Sequence, residues 1–123
     1  VVIASFDAFD VQTLLKNAKL LITDYSSVFF DFAYMKKPCI YYQFDREEFF
    51  SQHYRKGYFN PQTDGFGKVA VNIEELLAAL KHSIELDFSL EEEYVKRVDN
   101  FFVLRDTHNC ERIYNAIEEL KHE

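Results

Sequence analysis

The sequence predicts an α/β domain of Rossmann-like, three-layer architecture with a parallel sheet, and three observations carry that expectation. Short β-branched or aromatic runs alternate with longer segments whose apolar residues recur at helical spacing. The order strand, helix, strand, helix, strand, then strand and helix again implies parallel strands joined by right-handed crossovers, with helices on both faces. The 123 residues match the size of one domain, and 48% of them are hydrophobic, including 13 Phe and 8 Tyr, which is ample for a packed core and excludes disorder.

Each element has a local reason. Residues 1–5 form a β-branched run that reads as a first buried strand, and a chain that opens inside a strand is expected to be part of something longer. Asp10 can cap a helix over residues 11–18. Residues 20–23 are too few for a helix and suit a strand buried on both faces. Ser26 or Ser27 then caps a second helix, with Val28, Phe29, Phe32, Ala33 and Met35 as its apolar stripe. Lys36 and Lys37 stand at its C-terminal end, where positive charge complements the helix dipole, and Pro38 bars continuation. Residues 39–42 are the third strand and residues 45–50 a short helix. All three glycines fall in the loop that follows, predicting backbone conformations that other residues resist. Residues 69–71 are a fourth strand, and Asn72 caps an amphipathic helix over residues 73–80. Two more helices follow, over residues 89–102 and from about residue 109 to 120. No internal repeat, low-complexity segment or linker interrupts this pattern.

Composition narrows the function. A formal net charge of -7 argues against wholesale nucleic-acid binding, which needs a positive surface to displace counterions, although it permits a local cationic pocket. The two cysteines, Cys39 and Cys110, are far apart and form no CxxC pattern, which argues against zinc and against a disulfide scaffold. No apolar stretch approaches the roughly 20 residues that span a bilayer, and no signal peptide opens the chain.

In a parallel α/β sheet, ligands bind beyond the carboxyl ends of the strands, and Asp24, Tyr25, Ser26 and Ser27 lie at such an end, as do residues 43–46. A helix N-terminus welcomes phosphate, and two hydroxyls would add donors to the same oxygens. The competing reading is that one serine is a cap and the other merely small and polar. Asp24 and Asp31 could each accept from the vicinal hydroxyls of a ribose, or Asp31 could simply be a solvent-facing acid. Arg55 and Lys56 beside Gly57 could fold over a diphosphate, or be solvated loop residues. Asp106, Thr107 and His108 precede the last helix as a second anion site or a polar cap, whereas His53, His82 and His122 read as surface residues. No nucleophile–base pair is identifiable, so no catalytic residue is assigned, and no metal or cofactor is called for. The residues alone imply an α/β domain with an anion or nucleotide site after the second strand.

The stretch LLKNAKLLITDYSSVFFDFAYMKKPCIYYQFDREEF, with weaker continuation through Arg55 to Phe59, DGFGKVAVNIEEL and FFVLRDTHNCERIYNAI, closely resembles the C-terminal half of the CDP-glycerol glycerophosphotransferases, the TagB/TagF-like enzymes of teichoic-acid and capsule synthesis. The resemblance implies the C-terminal half of a GT-B fold, two Rossmann-like domains with the active site between them, residues 1–123 being the nucleotide-donor-binding domain. It implies that Ser26, Ser27 and Arg55 hold the diphosphate of CDP-glycerol or a related CDP-activated donor, and that Asp31 and Asp24 hold its ribose. Asp106, and less directly Thr107 and His108, match the polar turn that opens the family's last helix. An acceptor hydroxyl on a lipid-linked polymer would attack the donor's β-phosphorus and release CMP. The base would be a histidine of an N-terminal domain that also engages the acceptor and is absent here, so this piece is expected to bind donor without turnover. Location would be cytoplasmic and peripheral at the inner face of the membrane. The sequence departs from the family at Lys56, at DGFG (residues 64–67) and at Thr107–His108, which leaves CDP-ribitol or a nucleotide sugar open as donor. A non-catalytic nucleotide-binding or interaction module is the alternative class. A phosphoacceptor receiver ranks far below, since Asp7 and Asp10 flank the first connection but no suitable lysine follows a late strand.

Overall fold

A computed structural model describes residues 3–5, 7–52 and 57–121. Among them the chain runs α1 (Val11–Asn17), β1 (Leu21–Thr23), α2 (Val28–Tyr34), β2 (Cys39–Tyr42), α3 (Arg46–Gln52), β3 (Gly67–Ala70), α4 (Ile73–Glu85), α5 (Glu92–Phe101) and α6 (Asn109–Lys121). The strands form one parallel sheet in the order β1-β2-β3. Leu21 pairs with Cys39 and Thr23 with Tyr41, while Cys39 pairs with Gly67 and Tyr42 with Ala70.

The central strand β2 explains the layering. Its residues alternate between two faces, and both faces are covered, so it reads as a continuous apolar run. Cys39 and Tyr41 pack with Phe29 and Ala33 of α2, Phe66, and Val98 of α5. Ile40 turns the other way, onto Ala70 and Ala79 of α4, with Leu20, Tyr42, Leu76 and Leu80 around them. Helix, sheet, helix is therefore the observed three-layer order, as the sequence predicts. Aromatic rings fill the α2 side: Phe29 meets Tyr41 edge to face at 5.0 Å, and Phe66 meets Phe101 at 5.5 Å in the same manner. The Tyr41 hydroxyl accepts the backbone N–H of Phe66 at 3.1 Å, fixing the approach to β3 inside this cluster.

Several expectations change. The described residues carry three strands, not four: residues 3–5 have no regular structure and Ile3 is 90% exposed. β-Branched composition favours a strand only where a ladder partner exists, and these residues pair with none of β1 to β3. The glycine-rich loop was expected to need unusual backbone angles, but no described glycine has positive φ. Gly67 instead opens β3, where an added Cβ would lie 1.8 Å from the Cys39 carbonyl oxygen, and Gly65 is similarly closed by Pro61 at 2.1 Å. These glycines serve close backbone approach rather than left-handed turns. Left-handed angles fall on Lys36 (φ 55°), Asp87 (φ 48°) and Phe88 (φ 58°), at the ends of α2 and α4. The turn after α4 delays α5 to Glu92, and α4 extends to Glu85.

Lys37 does not serve the α2 dipole as its position implies. Its Nζ donates to the carbonyls of Leu15, Lys16 and Ala18, closing the C-terminal end of α1. Lys36 pairs with Asp99 of α5 at 2.7 Å. Both lysines thus join α2 to its neighbours. His82, expected at the surface, is half-buried and bonds to Glu91 at 3.0 Å.

Candidate functional site

Because the strands are parallel, the residues following β1 and β2 emerge at the same edge of the sheet. Asp24 follows β1 and Gln43 follows β2. The Asp24 side chain folds back along its own chain: Oδ1 accepts the N–H of Tyr25 at 2.6 Å and that of Ser26 at 3.2 Å. This Asx turn orients the chain into α2.

The turn also settles what the serines do inside the protein. Ser27 occupies the N-cap position of α2, but its backbone is already helical (φ -67°, ψ -9°) and its side chain makes no capping bond. A capping side chain needs an extended backbone to reach over the first turn, so the expected cap does not form. Both serines are exposed, and neither hydroxyl bonds to another described residue.

Tyr25 pins this turn to α3. Its ring stacks on Phe49 with centroids 3.7 Å apart and planes within 4°, and its hydroxyl donates to Asp45 Oδ1 at 3.1 Å. Burial first, and the Asp45 carboxylate second, push the Tyr25 pKa up to about 12, so the phenol stays neutral. Between the turn and α3 lies a cavity of about 270 Å³ lined by Asp24, Tyr25, Ser27, Gln43, Phe49 and Phe59, among others. Its walls are mostly aromatic, and its described lining holds one carboxylate and no cation.

The remaining sequence candidates lie elsewhere. Asp31 is one turn beyond Ser27 on α2, exposed, in the first turn of the helix. It does not line the Asp24–Ser27 cavity. It borders a separate one of about 540 Å³ with Phe30, Tyr34, Val103, Leu104 and Asn109. The Asp106 turn does open the last helix, α6, and its acid is engaged internally. Arg112 grips the Asp106 carboxylate with two hydrogen bonds, at 2.8 and 3.1 Å, and the His108 N–H donates to it at 2.8 Å. The Arg112 bonds, followed by the His108 bond, hold the Asp106 carboxyl below its usual range. Thr107 and His108 are exposed, and His108 Nδ1 faces Glu111 at 3.2 Å. Asn109, just beyond, brings this turn to the Asp31 cavity. Arg55 and Lys56 lie outside the described residues. Among the described residues, no three His, Cys, Asp or Glu side chains converge as metal ligands, and no helix is long and apolar enough to cross a membrane.

Sequence reasoning placed Gln43 at the ligand end of the sheet but missed its burial, its bond to Asp24 and the aromatic walls. Gln43 is 2% exposed and its Nε2 donates to the Asp24 carbonyl at 3.4 Å, tying the ends of β1 and β2 together. The available signal was a lone amide at the carboxyl end of a fully buried strand, in phase with Cys39 and Tyr41.

Comparison with known proteins adds the following. The sequence profile of the family described as CDP-glycerol:poly(glycerophosphate) glycerophosphotransferase matches residues 1–119. The minor teichoic acid biosynthesis protein GgaB of Bacillus subtilis (strain 168) is 44% identical over 109 residues, covering 89% of this chain and 12% of that protein. The teichoic acid poly(glycerol phosphate) polymerase of the same organism is 33% identical over 113 residues, covering 91% and 15%. The teichoic acid ribitol-phosphate polymerase TarK of Staphylococcus aureus (strain NCTC 8325 / PS 47) is 31% identical over 109 residues, covering 87% and 20%. Among solved structures, the wall teichoic acid polymerase TagF superposes with a TM-score of 0.63 at 24% identity, over 97% of this chain and 31% of that one. The fold is thus shared with a GT-B type polymerase. The chain spans only a small fraction of the curated relatives' lengths.

Proposed function

The chain belongs to the CDP-glycerol:poly(glycerophosphate) glycerophosphotransferase family, a family of transferases, and on that premise we propose that it is the nucleotide-donor-binding part of such an enzyme. The donor is CDP-glycerol, the acceptor a hydroxyl of a cell-envelope polymer carried on lipid, and the leaving group CMP. The observation that carries this reading is the turn after β1. It holds two exposed serine hydroxyls that make no hydrogen bond to another described residue, at the sheet edge where α/β domains take their ligands.

In this reading Ser26 and Ser27 donate to the diphosphate oxygens, and Asp24 holds the turn rigid through its two backbone bonds while facing the donor. Arg55 supplies positive charge to the diphosphate at the serine hydroxyls, outside the aromatic cavity. Asp31, one turn along α2, takes the ribose hydroxyls from the neighbouring cavity. The acceptor oxygen attacks the β-phosphorus, the bond from that phosphorus to the bridging oxygen breaks, and the electron pair leaves with CMP. Serine hydroxyls and a guanidinium stabilise the charge that grows on the phosphoryl oxygens. The acceptor's proton goes to a base outside this chain, so residues 1–123 alone bind donor without turning it over. The enzyme would act at the cytoplasmic face of the membrane, where a lipid-linked acceptor is presented.

One observation favours a second donor: relatives at 30% and 31% identity are named ribitol-phosphate polymerases, so CDP-ribitol is the alternative. The test is CMP release by the natural protein that contains this chain, with each donor and a lipid-linked acceptor. Ser27→Ala should lower kcat about 100-fold, the scale of losing one oxyanion donor. Undiminished turnover in Ser26→Ala and Ser27→Ala alike would overturn the assignment.

A further inference from the structure

Gln43 carries a polar atom with no partner among the described residues. Its Oε1 is buried and accepts no hydrogen bond from them, although the side chain lines the aromatic cavity at the carboxyl end of the sheet. The amide's orientation is fixed chemically. The Asp24 carbonyl can only accept, so it holds Nε2 toward itself and leaves Oε1 as the other arm of the planar amide, directed away from that carbonyl. An unpaired buried acceptor is costly in a folded chain and rare for that reason. Gln43 shares the lining of this cavity with Tyr25, Phe49, Phe59, Ser27 and Asp24.

We propose that this cavity receives the uncharged end of the donor, and that Gln43 Oε1 accepts a hydrogen bond from an N–H or O–H group there. The inference rests on the donor-binding reading above and assigns a specificity residue to it. Three features of the lining select the ligand chemistry. An amide oxygen only accepts, so the ligand must donate. The aromatic walls favour a flat or apolar surface over a hydrated one. The carboxylate of Asp24, with no cation in the described lining, repels phosphate. The diphosphate therefore stays outside, at the serine hydroxyls, while a neutral group enters. Two parts of a CDP-activated polyol offer such a group: the exocyclic amine of cytosine and the hydroxyls of the polyol.

Calorimetric titration of the 123-residue chain with CMP, UMP, CDP-glycerol and pyrophosphate tests this, comparing wild type with Gln43→Met, which keeps the length of the side chain and removes the acceptor. Loss of one neutral hydrogen bond should weaken binding about 5- to 10-fold. If the amine is the partner, Gln43→Met weakens CMP and leaves UMP unchanged. If a hydroxyl is the partner, it weakens CDP-glycerol and leaves CMP unchanged. Pyrophosphate affinity should be the same in both proteins. As a readout independent of the variant's folding, the Gln43 side-chain amide resonances of the wild type should shift with CMP or CDP-glycerol and not with pyrophosphate. Binding of CMP and CDP-glycerol that is equal in the two proteins, with unmoved Gln43 resonances, overturns the role of Gln43 while leaving the donor site standing. Failure of the wild type to bind CDP-glycerol overturns both.

Discussion

Removing one oxygen from the core tests the packing that carries the site. Tyr41 and Phe66 are both fully buried, and the only polar link between them is the Phe66 N–H donated to the Tyr41 hydroxyl at 3.1 Å. Tyr41→Phe keeps the ring and its edge-to-face contact with Phe29 but deletes the acceptor. The space left is smaller than a water molecule, so the Phe66 N–H is stranded without rescue by solvent. A buried donor without a partner costs about 1–3 kcal/mol. For a domain of this size each kcal/mol moves Tm by about 3–5 °C, so a central cost of about 2 kcal/mol lowers Tm by about 6–10 °C. Urea unfolding followed by circular dichroism should show a lower midpoint at unchanged m, because the surface exposed on unfolding is the same. A loss below about 0.5 kcal/mol would refute the reasoning, since it would mean that the Phe66 N–H finds another partner or never depended on this one.

Other expectations follow from the same structure. Gly67→Ala places a Cβ on the Cys39 carbonyl, 1.8 Å away, and backbone cannot yield as a flexible side chain can, so the variant should lose more than about 3 kcal/mol or fail to fold, as a thermal melt would show. Asn72→Ala removes the acceptor of the Glu75 N–H at 2.9 Å and should cost about 1 kcal/mol in urea unfolding. Alkaline pH should destabilise the fold. Burial pushes the Cys39 thiol from 9.0, and the Tyr25 and Tyr94 phenols from 10.0, up to about 12, and pushes Tyr41 further still. Above pH 9 the unfolded chain releases protons that the folded chain keeps, so stability is complete below that value and falls as pH rises through 12. A Tm that stays flat from pH 9 to pH 11 would contradict this. Asp24→Ala frees the N–H groups of Tyr25 and Ser26 and should weaken CDP-glycerol binding about 10-fold by calorimetry, with a smaller effect on Tm than Tyr41→Phe.

Where local chemistry and tertiary packing agree, the elements are legible from the residues. Pro38 followed by four apolar or aromatic residues fixes β2, and Asn72 before an amphipathic run starts α4 at the expected residue. Legibility fails where a residue answers to something distant in sequence. Gly67 begins β3 because the Cys39 carbonyl leaves no room for a side chain, a constraint set 28 positions away and invisible to strand propensity. Lys37 reads as a dipole partner of its own helix, yet it reaches the carbonyls of α1. The serine turn was located correctly at the carboxyl end of β1, but its wiring was not: Asp24 takes the local N–H groups and relieves the serines of a structural task. The position of Gln43 at the ligand end was legible, but its burial was not, because it depends on separate segments closing over it. Asp106 reads as part of an anion site or a polar cap, and its carboxylate pairs with Arg112, six residues on.

The central claim is that the turn after β1 receives the phosphates of a nucleotide-activated donor. Amide-resolved NMR titration of the chain with CDP-glycerol tests it most directly. The account predicts saturable shifts that are largest at Ser26 and Ser27, extend to Asp24 and Tyr25, and are reversed by excess CMP. Shifts absent from residues 24–27 at saturating ligand, or confined to α4 on the opposite face of the sheet, would contradict it.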